Sequence, residues 1–416
     1  MRILLWHGYL LGGTGSNVYT RQLAREWSNA GHDVTVLSQE AQPGAYDLGA
    51  AATVRPVVGG LLPTFVLDRY EGYDVRLVQD CTRAELDAWV EANAAAVRAL
   101  LPADLVFANH VLLGGPVGAT SGAPFAVKAH GSELEYSMRG NAELSRWGAE
   151  ALAGARATFV GSAHIRQVLE DVCGHVERVH EVPPGVDVDL WQPELRDVAL
   201  ERLLEEARRD APNPGNAEER IPDDGNAGRL AAFLAGDAPT VVYFGKLIEQ
   251  KGVHVLLDAL QGLEARVVVV GFGPERAALE HRAATNGVDA LFTGPLEHRH
   301  LRHLLAFADV CAVPSVFPEA FGMVAVEAAA AGCPPVVARH SGLAEVAAGL
   351  EAELPAGLAR LVATPTGDAA ALRERLAALV ALPAADRALL RASVRRAAEE
   401  RWSWAGVARR LLELSA

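Results

Sequence analysis

The 416-residue sequence has only four cysteines, with no CxxC pair and no spacing typical of a disulfide or zinc framework. This scarcity excludes a disulfide-stapled secreted domain and indicates a reducing, cytoplasmic compartment. No uncharged apolar run approaches the roughly 20 residues that a membrane-spanning helix needs. The opening residues are followed at once by a histidine and by glycines, so we expect no signal peptide.

Positive charge is also scarce. The chain has 38 basic and 52 acidic residues, and the resulting net charge of −14 disfavours sequence-independent binding to nucleic acids. Residues 181–238 alone carry 14 acidic and 6 basic side chains. Only three basic residues are lysines, at positions Lys128, Lys246 and Lys251. Because arginine is so strongly preferred, each lysine is a candidate for function, although three residues can also be placed by chance.

Short apolar runs alternate with amphipathic stretches along most of the chain. This alternation is typical of α/β units, in which helices cover both faces of a parallel sheet. In the first half it predicts strands or helices over 2–6, 17–30, 34–37, 83–100, 104–107, 124–128 and 157–160. In the second half it predicts them over 240–244, 251–261, 266–270, 274–286, 310–313, 335–338, 368–381, 384–401 and 404–415.

A proline-rich segment and a polar block interrupt this alternation, and they divide the chain. We expect two doubly wound, Rossmann-like domains over 1–182 and 239–400, with ligands at the carboxyl ends of the strands and the domains facing across a cleft. Residues 183–238 are predicted to be a linker and an acidic insertion, of which 195–238 is solvated and partly mobile. The last helix lies within 401–416.

The most specific stretch is 318–334 (PEAFGMVAVEAAAAGCP), which has helical composition from about Gly322. The first turn of such a helix leaves backbone N–H groups unpaired, here those of Phe321, Gly322, Met323 and Val324, and they form an anion site. Glu319 precedes the helix, and Glu327 inside it needs a partner if it is buried. A polyhydroxylated ligand with a phosphate suits this set. The alternative is a glutamate before the helix and one solvated glutamate within it.

The first half contains a glycine-rich loop after its first strand, with glycines at Gly12, Gly13 and Gly15. Val18 stands where a dinucleotide motif needs its third glycine, so a dinucleotide site is disfavoured. Asn17 opens the following helix and is either a ligand contact or a helix cap.

His130 follows another strand at its carboxyl end and is a candidate site residue or an ordinary loop residue. Lys128 lies two residues earlier on the same face, and Ser132 follows in the loop. Function and chance placement are equally favoured for Lys128.

Three other features are set aside. Asp187 and Asp189 form a DxD triplet within the linker, and we reject a metal role for them. His298, His300 and His303 have no fourth ligand nearby, so a solvated helix face is expected. Two arginine pairs are interpreted as exposed helix faces: Arg395 with Arg396, and Arg409 with Arg410.

Several motifs in the expected order resemble those of family 4 retaining glycosyltransferases of GT-B fold. The two glutamates of 318–334, with seven residues between them around F-G, resemble the family signature, and 244–252 (FGKLIEQKG) resembles its G-R-L…K-G motif. Residues 271–274 (GFGP) are similar to its G-x-G-P turn, and the 182–193 linker to its P-x-G-V-D crossing. The likeness covers most of the chain except 195–238 and about 40–80.

The resemblance implies a role for each matched position. Glu319 would hold hydroxyls of the donor sugar, and Glu327 would bind ribose hydroxyls. Lys246 and Lys251 would neutralise the diphosphate, although the family usually has arginine in place of Lys246, which offers a planar fork. The residues expected at the donor site are Gly12, Gly13, Gly15, Gly245, Lys246, Lys251, Gly271, Glu319, Phe321, Gly322, Met323, Val324 and Glu327.

On the acceptor side the resemblance implies contacts by Asn17, with Lys128 and Ser132 as weaker candidates. His130 would lie near the anomeric carbon, its backbone carbonyl accepting a hydrogen bond from the sugar. His130, Glu319, Lys246 and Lys251 are therefore the expected catalytic set. The family's last helix packs back on the first domain, which implies the same for 401–416.

The expected activity is metal-independent transfer of a hexose or N-acetylhexosamine from a UDP-, GDP- or ADP-sugar to an acceptor hydroxyl, with an α linkage and no cofactor. A GT-B nucleotide-sugar epimerase and a non-catalytic nucleotide-sugar binding protein are the alternatives. The sequence leaves the base, the sugar, the acceptor and the oligomeric state open.

Overall fold

A computed structural model describes residues 1–12, 15–66, 70 and 72–416. The chain divides into two compact units, Met1–Gly185 with Trp404–Ala416, and Val186–Ser403. None of the described helices is long and apolar enough to cross a membrane.

The first unit contains a parallel sheet with helices on its faces. Its described strands are β1 (Arg2–Trp6), β2 (Asp33–Leu37), β3 (Ala52–Val54), β4 (Leu61–Thr64), β5 (Asp74–Leu77), β6 (Leu105–Asn109), β7 (Phe125–Lys128), β8 (Ala157–Val160) and β9 (Val179–Glu181). Its helices include α1 (Gly15–Asn29), α2 (Arg83–Arg98), α3 (Gly114–Thr120), α4 (Ala142–Leu152) and α5 (Ala163–Cys173). The main sheet has the order β3-β2-β1-β6-β7-β8-β9, and β4 pairs with β5 beside it.

The second unit repeats this plan after two leading helices. Its described strands are β10 (Thr240–Phe244), β11 (Arg266–Val270), β12 (Asp289–Gly294), β13 (Val310–Val313), β14 (Pro335–Ala338) and β15 (Ala363–Thr364), in the order β12-β11-β10-β13-β14-β15. Its helices are α6 (Arg196–Ala207), α7 (Asn226–Phe233), α8 (Val253–Leu260), α9 (Arg276–Thr285), α10 (His298–Phe307), α11 (Met323–Ala330), α12 (Ser341–Glu353), α13 (Ala356–Ala359), α14 (Ala369–Val380) and α15 (Ala384–Trp402).

Alternating side chains explain why each sheet is covered on both faces. In β1, Leu4 and Trp6 enter one core of the first unit, whereas Ile3 and Leu5 enter the core on the opposite face. All four side chains are fully buried. Such strands are hydrophobic without polar alternation, which is typical of parallel sheets. The predicted α/β class with two doubly wound sheets is confirmed.

The order in which successive strands are added reverses at one point in each sheet, and this point locates a site. β1 lies between β2 and β6, and β10 lies between β11 and β13. In open parallel sheets, ligands bind outside the carboxyl ends of the strands at such a switch point. The carboxyl ends of β1 and β6 and those of β10 and β13 are therefore the places to examine.

The terminal helix α16 (Trp404–Ser415) belongs to the first unit. It packs against α1, and the indole Nε1 of Trp27 donates a hydrogen bond to the carbonyl of Ala408 at 2.9 Å. The chain thus returns to its first unit at its end. The exposed face that the sequence analysis expects for Arg409 and Arg410 is present in this helix.

Residues 195–238 are not the solvated insertion that the sequence analysis predicts. The second unit begins at Val186, and α6 and α7 contribute buried side chains to its core: Ala199, Leu203, Ala207, Leu230 and Leu234. The prediction is wrong because the charged face of α6 conceals its apolar stripe. A solvated stretch could not have buried these side chains.

Arg266 ties this segment to the sheet. This residue of β11 is only 3% exposed, and its guanidinium donates to Thr240 and to carbonyls at the end of α7, including those of Phe233 and Ala235, both at 2.8 Å. The carbonyls at the end of a helix have no partner within it. Arg266 therefore caps α7 from the neighbouring strand.

Two further expectations about surface residues are wrong. His300 and His303 are buried, because α10 packs on α6, and they lie 3.1 Å from Asp210 and 2.7 Å from Glu194. The Arg395 side chain is only 15% exposed and donates to the carbonyl of Ala330 at the end of α11. Sequence spacing alone does not reveal which face of a charged helix a neighbour covers.

Candidate functional site

The loops that follow β10 and β11 each contain a position that requires glycine. Gly271 has a φ of 138°, and a Cβ atom there would lie 1.8 Å from the carbonyl oxygen of Gly245. Gly252 has a φ of 67°, and its Cβ would lie 2.0 Å from the carbonyl oxygen of Pro314. The backbones following β10, β11 and β13 thus approach each other more closely than any side chain allows.

Lys251 and Glu319 meet at this end of the sheet. The Nζ of Lys251 lies 2.5 Å from Oε1 of Glu319, and the two side chains are 32% and 22% exposed. The same oxygen accepts a hydrogen bond from Oγ of Ser315 at 2.6 Å. The structure therefore brings together two residues that the sequence analysis proposed from motifs 68 positions apart.

A chain of hydrogen bonds holds the backbone around Glu319. The backbone N–H of Glu319 donates to Oγ of Ser341 at 2.8 Å. Nε2 of His340 donates to the carbonyl of Ser315 at 2.7 Å, so its Nδ1 is free to accept from the Ser341 hydroxyl at 2.9 Å. The backbone N–H of Gly342 also donates a hydrogen bond to the Glu319 carbonyl at 3.0 Å.

The helix that follows begins with free amides. Among the described residues, the backbone N–H groups of Phe321, Gly322, Met323 and Val324 have no hydrogen-bond acceptor. Gly322 precedes α11 with a φ of 136°, a backbone conformation that residues other than glycine rarely adopt. Free amides and the positive end of the helix dipole favour an anion at this point.

Glu327 lies within α11 among buried alanines and valines. Its burial raises the pKa of the carboxyl to about 8. Among the described residues, no ion pair and no hydrogen bond reaches its oxygens. The sequence analysis expected that a buried Glu327 would need a partner; its side chain is half-buried, and the described residues supply none.

Lys246 is exposed and has no ion pair in the described part of the chain. Its backbone carbonyl accepts a hydrogen bond from the Tyr243 hydroxyl at 2.8 Å. Burial, and then the nearby Glu319 carboxylate, raise the pKa of the Tyr243 phenol. Tyr243 therefore connects the backbone of Lys246 with the surroundings of Glu319, while the Lys246 ammonium remains available.

A second group of polar residues lies at the switch point of the first unit. His7 follows β1, His110 follows β6, and His130 lies two residues after β7. The rings of His7 and His110 are stacked with centroids 6.1 Å apart, and those of His110 and His130 are 4.7 Å apart. Burial, and then neighbouring His110, lower the pKa of His7 to about 3 and hold that of His130 well below its ordinary value. His7 and His130 are thus neutral at pH 7.

Asn17 and Lys128 flank these histidines. Asn17 lies inside α1 and does not cap it, since its amide group bonds the Gly12 carbonyl and its oxygen lies 2.7 Å from Nε2 of His7. Lys128 is 2% exposed, and its Nζ donates to the carbonyl of Val182 at 3.0 Å. Burial lowers the pKa of Lys128 to about 7.

The remaining candidates of the first unit are placed less tightly. Gly15 is the first residue of α1, and Ser132 is half-buried just before the helix of His130's loop. Gly13 lies outside the described residues.

No group of three or more potential metal ligands is found in the described ranges. The Asp187 carboxylate accepts from the backbone of Asp189 and Leu190, as in an ordinary turn.

Comparisons with known proteins agree with this geometry. A sequence model described as Glycosyltransferase Family 4 matches residues 13–190, and one described as Glycosyl transferases group 1 matches residues 231–401. Together they match most of the chain and both units. The chain belongs to glycosyltransferase family 4.

Relatives and a solved structure support the same assignment. A D-inositol 3-phosphate glycosyltransferase of Xylanimonas cellulosilytica is 28% identical over 360 residues, covering 80% of this chain and 77% of the relative. A GDP-mannose-dependent phosphatidylinositol monomannoside mannosyltransferase of Mycolicibacterium smegmatis is 30% identical over 247 residues, covering 56% of each. The structure of Anabaena HepE in complex with UDP superposes with a TM-score of 0.68 at 16% identity, covering 99% of both chains. The family 4 glycosyltransferase has the GT-B fold.

Sequence reasoning missed several residues of both groups. His7 and His110 directly follow β1 and β6, and His340 and Ser341 lie shortly after the end of β14, where Arg339 separates them from the strand. Polar residues at the carboxyl ends of predicted strands were a usable signal for all four. No local pattern marks Glu133, which contacts His110 and the backbone of His130, because its burial depends on how the loops after β6 and β7 meet.

Proposed function

We propose that this family 4 glycosyltransferase transfers a hexose or N-acetylhexosamine from a nucleoside diphosphate sugar to an acceptor hydroxyl, with retention and without a metal ion. The Lys251–Glu319 pair at the free amides of α11 carries this proposal. It offers a cation and N–H donors for a diphosphate beside a carboxylate for sugar hydroxyls. Similar proteins with UDP bound, or named as dependent on GDP-mannose, support a nucleotide-linked donor.

Glu327 supports a donor that carries a ribose. Its carboxyl lacks a partner in the described residues and has a pKa raised to about 8 by burial. Two vicinal hydroxyl groups would provide the missing hydrogen bonds and favour the ionised form. Lys246, whose side chain is exposed and makes no ion pair with any described residue, would add a second cation for the diphosphate.

The chemistry needs no covalent intermediate. The bond between the anomeric carbon and the phosphate oxygen breaks, and its electron pair goes to the diphosphate. The acceptor oxygen bonds to the same carbon on the same face, and its proton passes to the departing phosphate oxygen. The enzyme then contributes mainly positioning and stabilisation of the growing negative charge, which Lys251, Lys246 and the α11 amides can supply.

The polar group of the first unit would bind the acceptor. His7, His130 and Asn17 offer neutral donors and acceptors that suit hydroxyl groups, and the name of one relative points to a cyclitol phosphate. His130 and Asn17 are the residues that the family resemblance assigns to substrate, with Lys128 and Ser132 behind them.

Binding and product analysis test the proposal. A thermal-shift screen of UDP-, GDP- and ADP-sugars should reveal one donor, and at about hundredfold excess over its Kd that donor should stabilise the protein by about 2.7 kcal/mol. Transfer should then require an added polyol acceptor, give an α-linked product by NMR, and continue in EDTA. A free, altered sugar formed without acceptor would indicate an epimerase, and binding without turnover would indicate a binding protein.

A further inference from the structure

Glu133 is a buried carboxylate to which the resemblance assigns no role. It begins a short π-helix, Glu133–Met138, three residues after His130, and its side chain is 0% exposed. Helices of this kind are rare and are frequent at functional sites. Burying a carboxylate is costly unless several donors reach it. The carboxylate must therefore be held by donors of its own.

Three donors from two loops converge on Glu133. Its oxygens accept from Nδ1 of His110 at 3.2 Å, from the backbone N–H of Val111 at 3.3 Å and from the backbone N–H of His130 at 2.9 Å. Burial alone would raise the pKa of the Glu133 carboxyl, but His110 and these hydrogen bonds lower it. The ionised side chain thus joins the carboxyl ends of β6 and β7.

The same contacts determine the orientation of His110. Its Nδ1 donates to the Glu133 carboxylate, which fixes the ring, and its Nε2 is buried without a partner among the described residues. His110 also has a φ of 71°, which residues other than glycine rarely adopt. Such a conformation persists only where the surroundings fix it, and Glu133 holds both the ring and the following N–H.

His110 in turn packs on His130. Their ring centroids are 4.7 Å apart, and Tyr19 packs on the other side of His130 at 5.1 Å. Nε2 of His130 donates to Oδ1 of Asn109 at 2.7 Å, since the Asn109 amide nitrogen itself donates to Thr20. The Nδ1 atom of His130 therefore keeps its lone pair.

We propose that Glu133 is a positioning residue of the transfer reaction, which fixes the backbone of His130 directly and its ring through the ring of His110. This inference rests on the proposed function, because it gives His130 its importance. Glu133 itself touches no substrate. Its loss should move His130 and lower the rate of transfer without weakening the donor site of the second unit.

The first test compares Glu133→Gln with Glu135→Gln, a matched change two residues away in a partly exposed pair with Arg139. The Glu133→Gln amide accepts through one oxygen only, so one of the three donors loses its acceptor. We expect kcat to fall about tenfold to hundredfold, with the donor Kd within about twofold of wild type and Glu135→Gln unchanged. Wild-type kcat in folded Glu133→Gln would overturn the inference and leave the proposed function intact.

The second test needs no variant and decides the matter if Glu133→Gln does not fold. In ¹⁵N-labelled wild-type protein, long-range ¹H–¹⁵N spectra should show His110 protonated on Nδ1 and His130 on Nε2 at pH 7. His110 protonated on Nε2 but not on Nδ1 would overturn the inference. Wild-type protein that transfers no sugar from any donor would instead contradict the proposed function.

Discussion

The ammonium of Lys251 lies 2.5 Å from a carboxylate oxygen of Glu319, so the two residues assigned to the donor neutralise each other when no donor is bound. A diphosphate would take Lys251 as its partner and release Glu319 for the hydroxyl groups of the sugar. The pair therefore keeps both charges in place without leaving either one uncompensated. Because Lys251 is a cation and Glu319 an anion, neither residue can take over the role of the other.

Glu319→Gln and Lys251→Ala should each lower turnover at least about 100-fold, because both remove charge stabilisation expressed in the transition state. Stability should change by less than about 1 kcal/mol, since a partly exposed ion pair contributes little. Steady-state kinetics and thermal melts check both statements. Glu249→Gln, an exposed change in the same loop, serves as control. Near-normal turnover in both site variants would contradict the assignment of the donor site.

His340→Ala should lower kcat about tenfold or more while the protein still folds. The substitution removes the bond to the Ser315 carbonyl and frees the Ser341 hydroxyl, which orients the backbone of Glu319. The measurement is kcat beside the donor Kd, with the exposed His281→Gln as a control. Unchanged kcat in His340→Ala would show that Glu319 does not depend on this chain of hydrogen bonds.

Donor binding should release a proton from Glu327. Its pKa of about 8 in the free protein means that the carboxyl is mostly protonated at pH 7, and ribose hydroxyls favour the ionised form. Donor affinity should therefore rise with pH up to about this value. Calorimetric titrations at pH 7 in buffers of different ionisation enthalpy measure the released proton. Equal apparent enthalpies in all buffers would refute this role, and Glu327→Gln should show no buffer dependence.

The same pKa has a consequence for stability in the absence of donor. Because the folded-state pKa of Glu327 lies above its unfolded value, its contribution is full below about pH 4.5 and is lost as the pH rises through about 8. Glu327→Gln should remove this part of the pH dependence. Chemical unfolding of both proteins between pH 5 and pH 9 provides the comparison, and parallel curves would contradict the raised pKa.

Arg266→Ala should destabilise the second unit by about 3 kcal/mol or more, because it leaves the carbonyls at the end of α7 without their charged donor. Arg208→Ala, an exposed change at the end of α6, should have little effect. Urea unfolding measures both. Equal stabilities would show that the end of α7 does not depend on the guanidinium of Arg266.

The βαβ alternation predicted most of the fold, because the buried strands consist mainly of apolar residues, and such runs are visible in the sequence. The donor site was predictable for a different reason: Lys251, Glu319 and Glu327 stand in local motifs whose order identifies the family. Burial of charged helices was not predictable. His300, His303 and Arg395 lie on faces rich in charge, and only the packing of α6 on α10 and of α15 on α11 shows that they are covered.

The sequence predicted Glu319 and His130 themselves but not the residues that hold them in place. His340, Ser341 and Glu133 act through loops that are distant in sequence, so no spacing links them to the residues that they hold. Their strand-end positions place His340 and Ser341 near a site, but only the hydrogen bonds of 2.7–2.9 Å connect them to Glu319 and its loop. Positioning residues of this kind are identified from the hydrogen bonds in the structure and not from the sequence.

The most direct test of the central claim is acceptor-dependent release of nucleoside diphosphate, measured for wild type and Lys251→Ala with the donor found by thermal shift. Wild type should release nucleoside diphosphate in proportion to the α-linked product, and Lys251→Ala should do so at least about 100-fold more slowly. Equal release by the two proteins, or no acceptor-dependent release by wild type with any donor, would contradict the account.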